Sequence, residues 1–160
     1  MKKIAIIMGS HSDLDTVSEA IAVLKEFKVS FDARVLSAHR TPKELVQHVE
    51  RASKSGTKVF IAAAGGAAAL AGVVAAHTTL PVIGIPIETS SLKGMDSLLS
   101  TVQMPAGIPV ASMAIGKPGA RNAALFALEI LGVSDRKIQA QLVAHKKKMR
   151  EKIRKIKIKV

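Results

Sequence analysis

Lys3-Ile4-Ala5-Ile6-Ile7-Met8-Gly9-Ser10-His11-Ser12-Asp13-Leu14 begins as an unbroken aliphatic run, which a glycine ends and small polar residues follow. A short apolar run without polar alternation reads as a strand covered on both faces, as in a parallel sheet. It is too short for the apolar region of a secretory leader, and no cleavage pattern follows it. From Leu14 onward the period changes. Leu14, Val17, Ile21, Leu24 and Phe27 recur at three- and four-residue steps, one face of a helix, and Ser12 or Asp13 is placed to cap its first turn.

The same alternation runs along the chain. Further strands are expected at about 30–36, 58–63, 81–85 and 109–115. Between them lie helical patterns at 42–54, 66–76, 92–101 and 120–131, and a last helix starts near 135. Thr41 is placed as the cap of the second helix, with Pro42 at its first position and Glu44 in capping-box spacing. Residues 67–76 are almost all small and apolar, so that helix is expected to be buried all round, which favours self-association. Ile138, Leu142, Met149, Ile153 and Ile156 share one stripe of the last helix. Five strands alternating with helices indicate an α/β domain with a central five-stranded parallel sheet, covered on both faces. Residues 1–133 form that domain, and 134–160 are a basic C-terminal helix and tail belonging to it.

Composition excludes several classes of function. There is no cysteine, so disulfides, iron–sulfur clusters, thiolate zinc sites and a cysteine nucleophile are all ruled out. The only aromatics are four phenylalanines, too few to stack exposed bases, which argues against single-stranded nucleic acid as a partner. No stretch has the length and polarity of a membrane span. The net charge of +12 is unevenly spread: residues 146–159 hold nine bases and one acid, a net of +8, leaving +4 for the rest. A solvated helix end, a polyanion contact and a subunit contact all fit such a tail.

In sheets of this kind ligands sit where strands end and loops pass into helices. That rule selects residues 9–13, 37–40, 64–70 and the surroundings of Pro86. In the first loop, free amides before a helix, with Ser10 and Ser12 as extra donors, suit an anion, and Asp13 suits ribose hydroxyls. A plain helix cap would use the same residues. In the second loop, Ser37-Ala38-His39-Arg40, the guanidinium of Arg40 suits a phosphate, and His39 beside it can exchange a proton near neutral pH. A histidine merely satisfied within its loop is the alternative. The third loop, Ala64-Gly65-Gly66-Ala67-Ala68-Ala69-Leu70, offers backbone amides and close approach but no reactive side chain. It lacks the spacing of a dinucleotide fingerprint and a Walker lysine. His11, His48, His77 and His145 do not combine with carboxylates at metal-ligand spacing, so no metal site is expected. Residues 96–105 suit either subunit packing or a lid.

Six motifs, in order from about residue 4 to 131, resemble the N5-carboxyaminoimidazole ribonucleotide mutase family, the catalytic subunit of phosphoribosylaminoimidazole carboxylase. They are Met8-Gly9-Ser10-x-Ser12-Asp13, Ser37-Ala38-His39-Arg40-Thr41-Pro42, Ala64-Gly65-Gly66-Ala67-Ala68, Leu80-Pro81-Val82-Ile83-Gly84, Gly94-x-Asp96-Ser97-Leu98 and Val102-Gln103-Met104-Pro105. The resemblance implies a flavodoxin-like three-layer fold, a cytoplasmic homo-octamer, and a carboxylate moved from the exocyclic nitrogen to C4 of an aminoimidazole ribonucleotide without metal, ATP or biotin. By position, His39 would be the general acid/base, and Ser10, Asp13 and Arg40 would hold the ribose-phosphate. Ser12, Ser37, Ala38, Gly65, Gly66, Ala67, Ala68 and Leu70 complete the expected substrate-binding set. One departure stands out: Ala69-Leu70-Ala71-Gly72 occupies the place where most bacterial members have His-Leu-Pro-Gly. Related animal-type carboxylases, which use free carbon dioxide, also lack that sequence, so direct carboxylation is the second reading. A non-catalytic nucleotide- or nucleic-acid-binding module working through the basic tail is the third.

Overall fold

The computed structural model describes residues 2–158. Five strands, β1 (Ile4–Met8), β2 (Phe31–Val35), β3 (Val59–Ala64), β4 (Val82–Pro86) and β5 (Ala111–Ser112), pair in parallel in the order β2-β1-β3-β4-β5. This is the flavodoxin-like order. The connecting helices are α1 (Leu14–Glu26), α2 (Pro42–Lys54), α3 (Leu70–Ala76), α4 (Met95–Val102) and α5 (Lys117–Gly132), and α6 (Arg136–Arg154) follows.

Every residue of β1 is buried, as its unbroken aliphatic run requires. Side chains alternate across the pleat. Ile4, Ile6 and Met8 join the layer of α1 and α5, while Ala5 and Ile7 meet Leu45, Val49 and Val74 from α2 and α3. Each large aliphatic side chain buried this way contributes roughly 1.5–3 kcal/mol. Gly84 shows how tightly the second layer closes, because a Cβ there would collide with the Thr101 methyl of α4. Ile138 and Leu142 of α6 complete the α1/α5 layer, so the first half of that helix belongs to the same core. Beyond it the stripe is uncovered: Met149, Ile153 and Ile156 are exposed. Lys159, counted in the basic tail, lies outside the described residues. Among those residues no helix is long and apolar enough to cross a membrane.

Several local expectations are corrected. The hydroxyl of Thr41 does not cap α2; it accepts from Ser37 N and donates to Ser37 O, closing the turn before the helix. The capping box forms instead in the first loop. Ser10 Oγ accepts from Ser12 N, and Ser10 N donates to Asp13 Oδ2 at 2.9 Å, around a 3-10 turn, His11–Asp13. Neither Ser12 nor Asp13 caps α1 through its side chain.

The helix after β3 starts at Leu70, because Gly66 (φ +66°) turns the chain left-handed and Ala68 N bonds back to Gly66 O. Nor is α3 covered all round within one chain: Gly72 and Val73 are half-buried and Ala76 is exposed. β5 shrinks to two residues; Pro109 cannot donate to a ladder, so the edge starts only beyond it.

Candidate active site

A cavity of about 540 Å³ opens at the carboxyl ends of β1 to β4. Its place follows from the strand order. The chain leaves β1 for β2 on one side and leaves β3 for β4 on the other, so the loops after β1 and β3 part there. Ser10, Ser12, Asp13, Ser37, Ala38, His39, Arg40, Gly65, Ala68 and Leu70 all line it. Gly66 and Ala67, in the same turn, do not. Three lining residues at the β4 exit, Ile87, Glu88 and Thr89, fall in the surroundings of Pro86 that the sequence selects, though none of them is singled out there. They follow Pro86 without any motif, and only the strand-exit rule points to them. Ala69, the position of the family departure, also faces the cavity.

The first loop buries a carboxylate. Asp13 is 6% exposed. Burial pushes its carboxyl above the usual carboxylate range, against the hydrogen bonds of Ser10 and Ser12, the Arg40 guanidinium and the Gly9 backbone, which all pull it down. The second loop is organised by one hydroxyl: Ser37 Oγ accepts from His39 N at 3.3 Å, Arg40 N at 3.1 Å and Arg40 Nε at 3.4 Å. Arg40 Nη2 then donates to Gly9 O at 2.8 Å, tying the loop after β2 to the loop after β1. A guanidinium has five N–H donors, so this anchoring leaves donors for an anion. The His39 imidazole is exposed at the cavity wall, beside Arg40. Together these groups offer a cation, a proton-exchanging ring and a hydrogen-bonded carboxylate around a space of small-metabolite size.

The other histidines lie elsewhere. His11 is exposed, His77 ends α3, and His145 packs its ring against Phe27 at 5.6 Å. His48 is a buried residue of α2, where burial, then Arg34, hold its pKa below the usual histidine value. No group of three or more His, Asp or Glu side chains among the described residues is arranged to hold a metal ion. Along α4, which opens the 96–105 segment, Ser97 and Thr101 are buried while Met95, Leu99 and Val102 are exposed, so the helix seals the sheet with one face and leaves an apolar face outward.

Known proteins share this chain's sequence and its fold. The AIR carboxylase family profile matches residues 3–152. N5-carboxyaminoimidazole ribonucleotide mutase of Saccharolobus solfataricus is 50% identical over 153 residues, 96% of each chain. The protein of the same name from Bacillus subtilis is 52% identical over 139 residues, 87% of this chain and 86% of that one. The crystal structure of Treponema denticola PurE superposes with a TM-score of 0.86 at 28% identity, covering 94% of this chain and 92% of that one.

Proposed function

The chain belongs to the AIR carboxylase family, and from that premise we propose that it is a cytoplasmic mutase of purine biosynthesis. It converts N5-carboxyaminoimidazole ribonucleotide to 4-carboxy-5-aminoimidazole ribonucleotide. The observation that carries this reading is that His39, Arg40 and the Ser10–Asp13 turn line one cavity, with Arg40 bonded across to Gly9.

Arg40 and the amides and hydroxyls of the first loop hold the phosphate, and Asp13 accepts from the ribose hydroxyls. The backbone at Ala64, Gly65 and Ala68 and the side chain of Leu70 lie along the imidazole and its carboxylate. The exocyclic N–C bond breaks, releasing carbon dioxide within the cavity while protonated His39 gives its proton to the departing nitrogen. C4 then attacks the carbon dioxide, and neutral His39 removes the C4 proton, restoring its starting state. Nothing is oxidised or reduced, and the proton is returned, so the residues alone balance the reaction. The shuttle is worth roughly 10²–10⁴ in rate. Holding carbon dioxide beside C4 is a proximity effect that leakage to water would cancel.

In the single chain the cavity is open, and α4 presents Met95, Leu99 and Val102 to solvent. Assembly into a homo-octamer, which would cover such apolar faces, belongs to the same proposal. Direct carboxylation is favoured by one observation, the absence of an imidazole at Ala69 in the cavity wall. The test is incubation with each nucleotide, with and without bicarbonate. Conversion of the N-carboxylated nucleotide independent of bicarbonate is expected; product formed only from aminoimidazole ribonucleotide plus bicarbonate would replace the mutase by a carboxylase.

A further inference from the structure

We propose that Ser97 is a positioning residue for the carboxylate transfer, its single hydroxyl pinning the 65–69 turn to the exit of β4 so that the cavity wall holds carbon dioxide until C4 captures it. The proposal rests on the mutase reading above. Ser97 lies in the first turn of α4 and is 0% exposed. Its Oγ donates to Ile87 O at 2.7 Å and accepts from Gly66 N at 3.0 Å. The two partners belong to different walls of the cavity, one beside Gly65 and Ala68 and the other beside Glu88 and Thr89.

Helix formation does not explain this serine. α4 is capped by Gly94 (φ +86°) without any side-chain capping bond. A buried hydroxyl is costly unless bonded, and at 97 the two short bonds leave the helix, beside a longer approach to Asp96 Oδ1 at 3.5 Å. Its neighbour behaves alike: Asp96 accepts from Thr89 Oγ1 at 2.9 and 3.0 Å, a second tie to the β4 exit. At Gly66 itself nothing lies within 4 Å of where a Cβ would stand; the packing of the turn comes at Gly65, which faces Thr89 and Ile87, and at the buried Ala68. The bonds from Ala68 N and Ala69 N run inside the turn and do not anchor it. The Ser97 hydroxyl therefore ties the left-handed residue of the turn to the rest of the fold.

A loosened wall has a specific consequence. After the N–C bond breaks, the intermediate has two fates: capture at C4, or escape of carbon dioxide leaving aminoimidazole ribonucleotide. Binding of phosphate and ribose depends on other loops and stays. The tests use the full chain as Ser97→Ala and Ser97→Cys, the latter retaining bulk while weakening both bonds. With the N-carboxylated nucleotide, Ser97→Ala is expected to lower kcat about tenfold or more, a small wall displacement being able to cost that much. KM should stay within about twofold, and the fraction of turnovers ending as aminoimidazole ribonucleotide should rise several-fold, with Ser97→Cys between. Variants that lose kcat with an unchanged product ratio, or keep both, overturn the proposal. In the wild type the Gly66 amide should exchange slowly with solvent; exchange as fast as in an exposed loop overturns it whether or not the variants fold. A wild type that fails to convert the N-carboxylated nucleotide sinks the mutase reading. A converting wild type whose variants partition normally sinks only the role of Ser97.

Discussion

The strand-exit cleft and the basic tail hold the chain's most conspicuous polar residues, and they differ in what those residues are tied to. In the cleft two charged groups have fixed addresses, while Glu88 at the β4 exit is exposed. Arg40 is anchored to Gly9 O, and Asp13 sits in bonds from Ser10 and Ser12. In the tail, Lys146 reaches Glu129 at 2.8 Å and Lys147 approaches Glu151 at 4.0 Å, but these side chains are largely exposed. Exposed pairs of that kind are worth about 0–1 kcal/mol and weaken with salt. Most of the net charge therefore lies where it constrains little, and the chemistry lies where a few charges are held. The comparison breaks if the tail governs turnover or if the cleft tolerates substitution.

The largest effect is expected at His39. Replacement by Asn keeps the backbone bond to Ser37 Oγ but removes the ring proposed to shuttle the proton, so kcat should fall at least about a hundredfold while aminoimidazole ribonucleotide binds nearly as before. Steady-state kinetics beside calorimetric binding separates the two. Arg40→Ala comes next. Losing charge-assisted bonds of roughly 1.5–3 kcal/mol should raise KM by about 10–100-fold, with a smaller loss in kcat. Lys at the same position should restore little, because it cannot span Gly9 O and Ser37 Oγ while facing a phosphate.

Asp13→Asn tests whether a fixed charge is retained at a cost to the fold. Burial raises the carboxyl's pKa in the folded chain. The folded state thus keeps its proton at a pH where the unfolded chain has lost it. The destabilisation is absent below the ordinary carboxylate pKa, grows through the window up to the folded value, and is complete above it. Asn should therefore raise the melting temperature near neutral pH, with the gain vanishing in acid, while nucleotide binding weakens. A variant less stable at neutral pH would show that the carboxylate's bonds outweigh its burial.

The cleft was legible in the sequence wherever a strand ended in residues with chemistry of their own. Gly9 to Asp13 announce themselves by small and polar side chains after an aliphatic run, and Ser37 to Arg40 by a histidine and an arginine just past a strand end. The third wall was legible only as a location. Alanine looks alike in a helix and a turn, so nothing in residues 67–69 told that α3 begins at Leu70, and only the left-handed Gly66 decides it. The fourth wall, Ile87 to Thr89, was legible only as the surroundings of Pro86, because no motif there marks the individual residues. Ser97 stood in a recognised motif, but its role depends on two backbone atoms from loops 10 and 31 residues away, which no local pattern encodes. Thr41 closes a turn where a cap was expected, and Ser10 rather than Ser12 or Asp13 supplies the capping hydroxyl, for a related reason: a hydroxyl near a helix start has several backbone partners within reach, and loop geometry chooses among them.

The smallest effect should come from removing the charge itself. Cutting the chain after Ala144 keeps Ile138 and Leu142 in the core. It deletes the exposed Met149 and Ile153, the Lys146–Glu129 pair and the His145 ring on Phe27. The pair and the ring contact together are worth roughly 1–2 kcal/mol, so the melting temperature should drop slightly and turnover should change by less than about twofold. Retention on a polyanionic matrix at low salt should fall sharply, because that is where eight of the twelve net charges act. The sharpest measurement is turnover beside sedimentation. If activity fell with the assembly intact, the tail would be acting on the cleft itself, and the separation between tied and untied charge would be wrong. If activity and assembly fell together, the uncovered stripe of α6 would be a subunit contact, and its bases would owe their exposure to the missing neighbours.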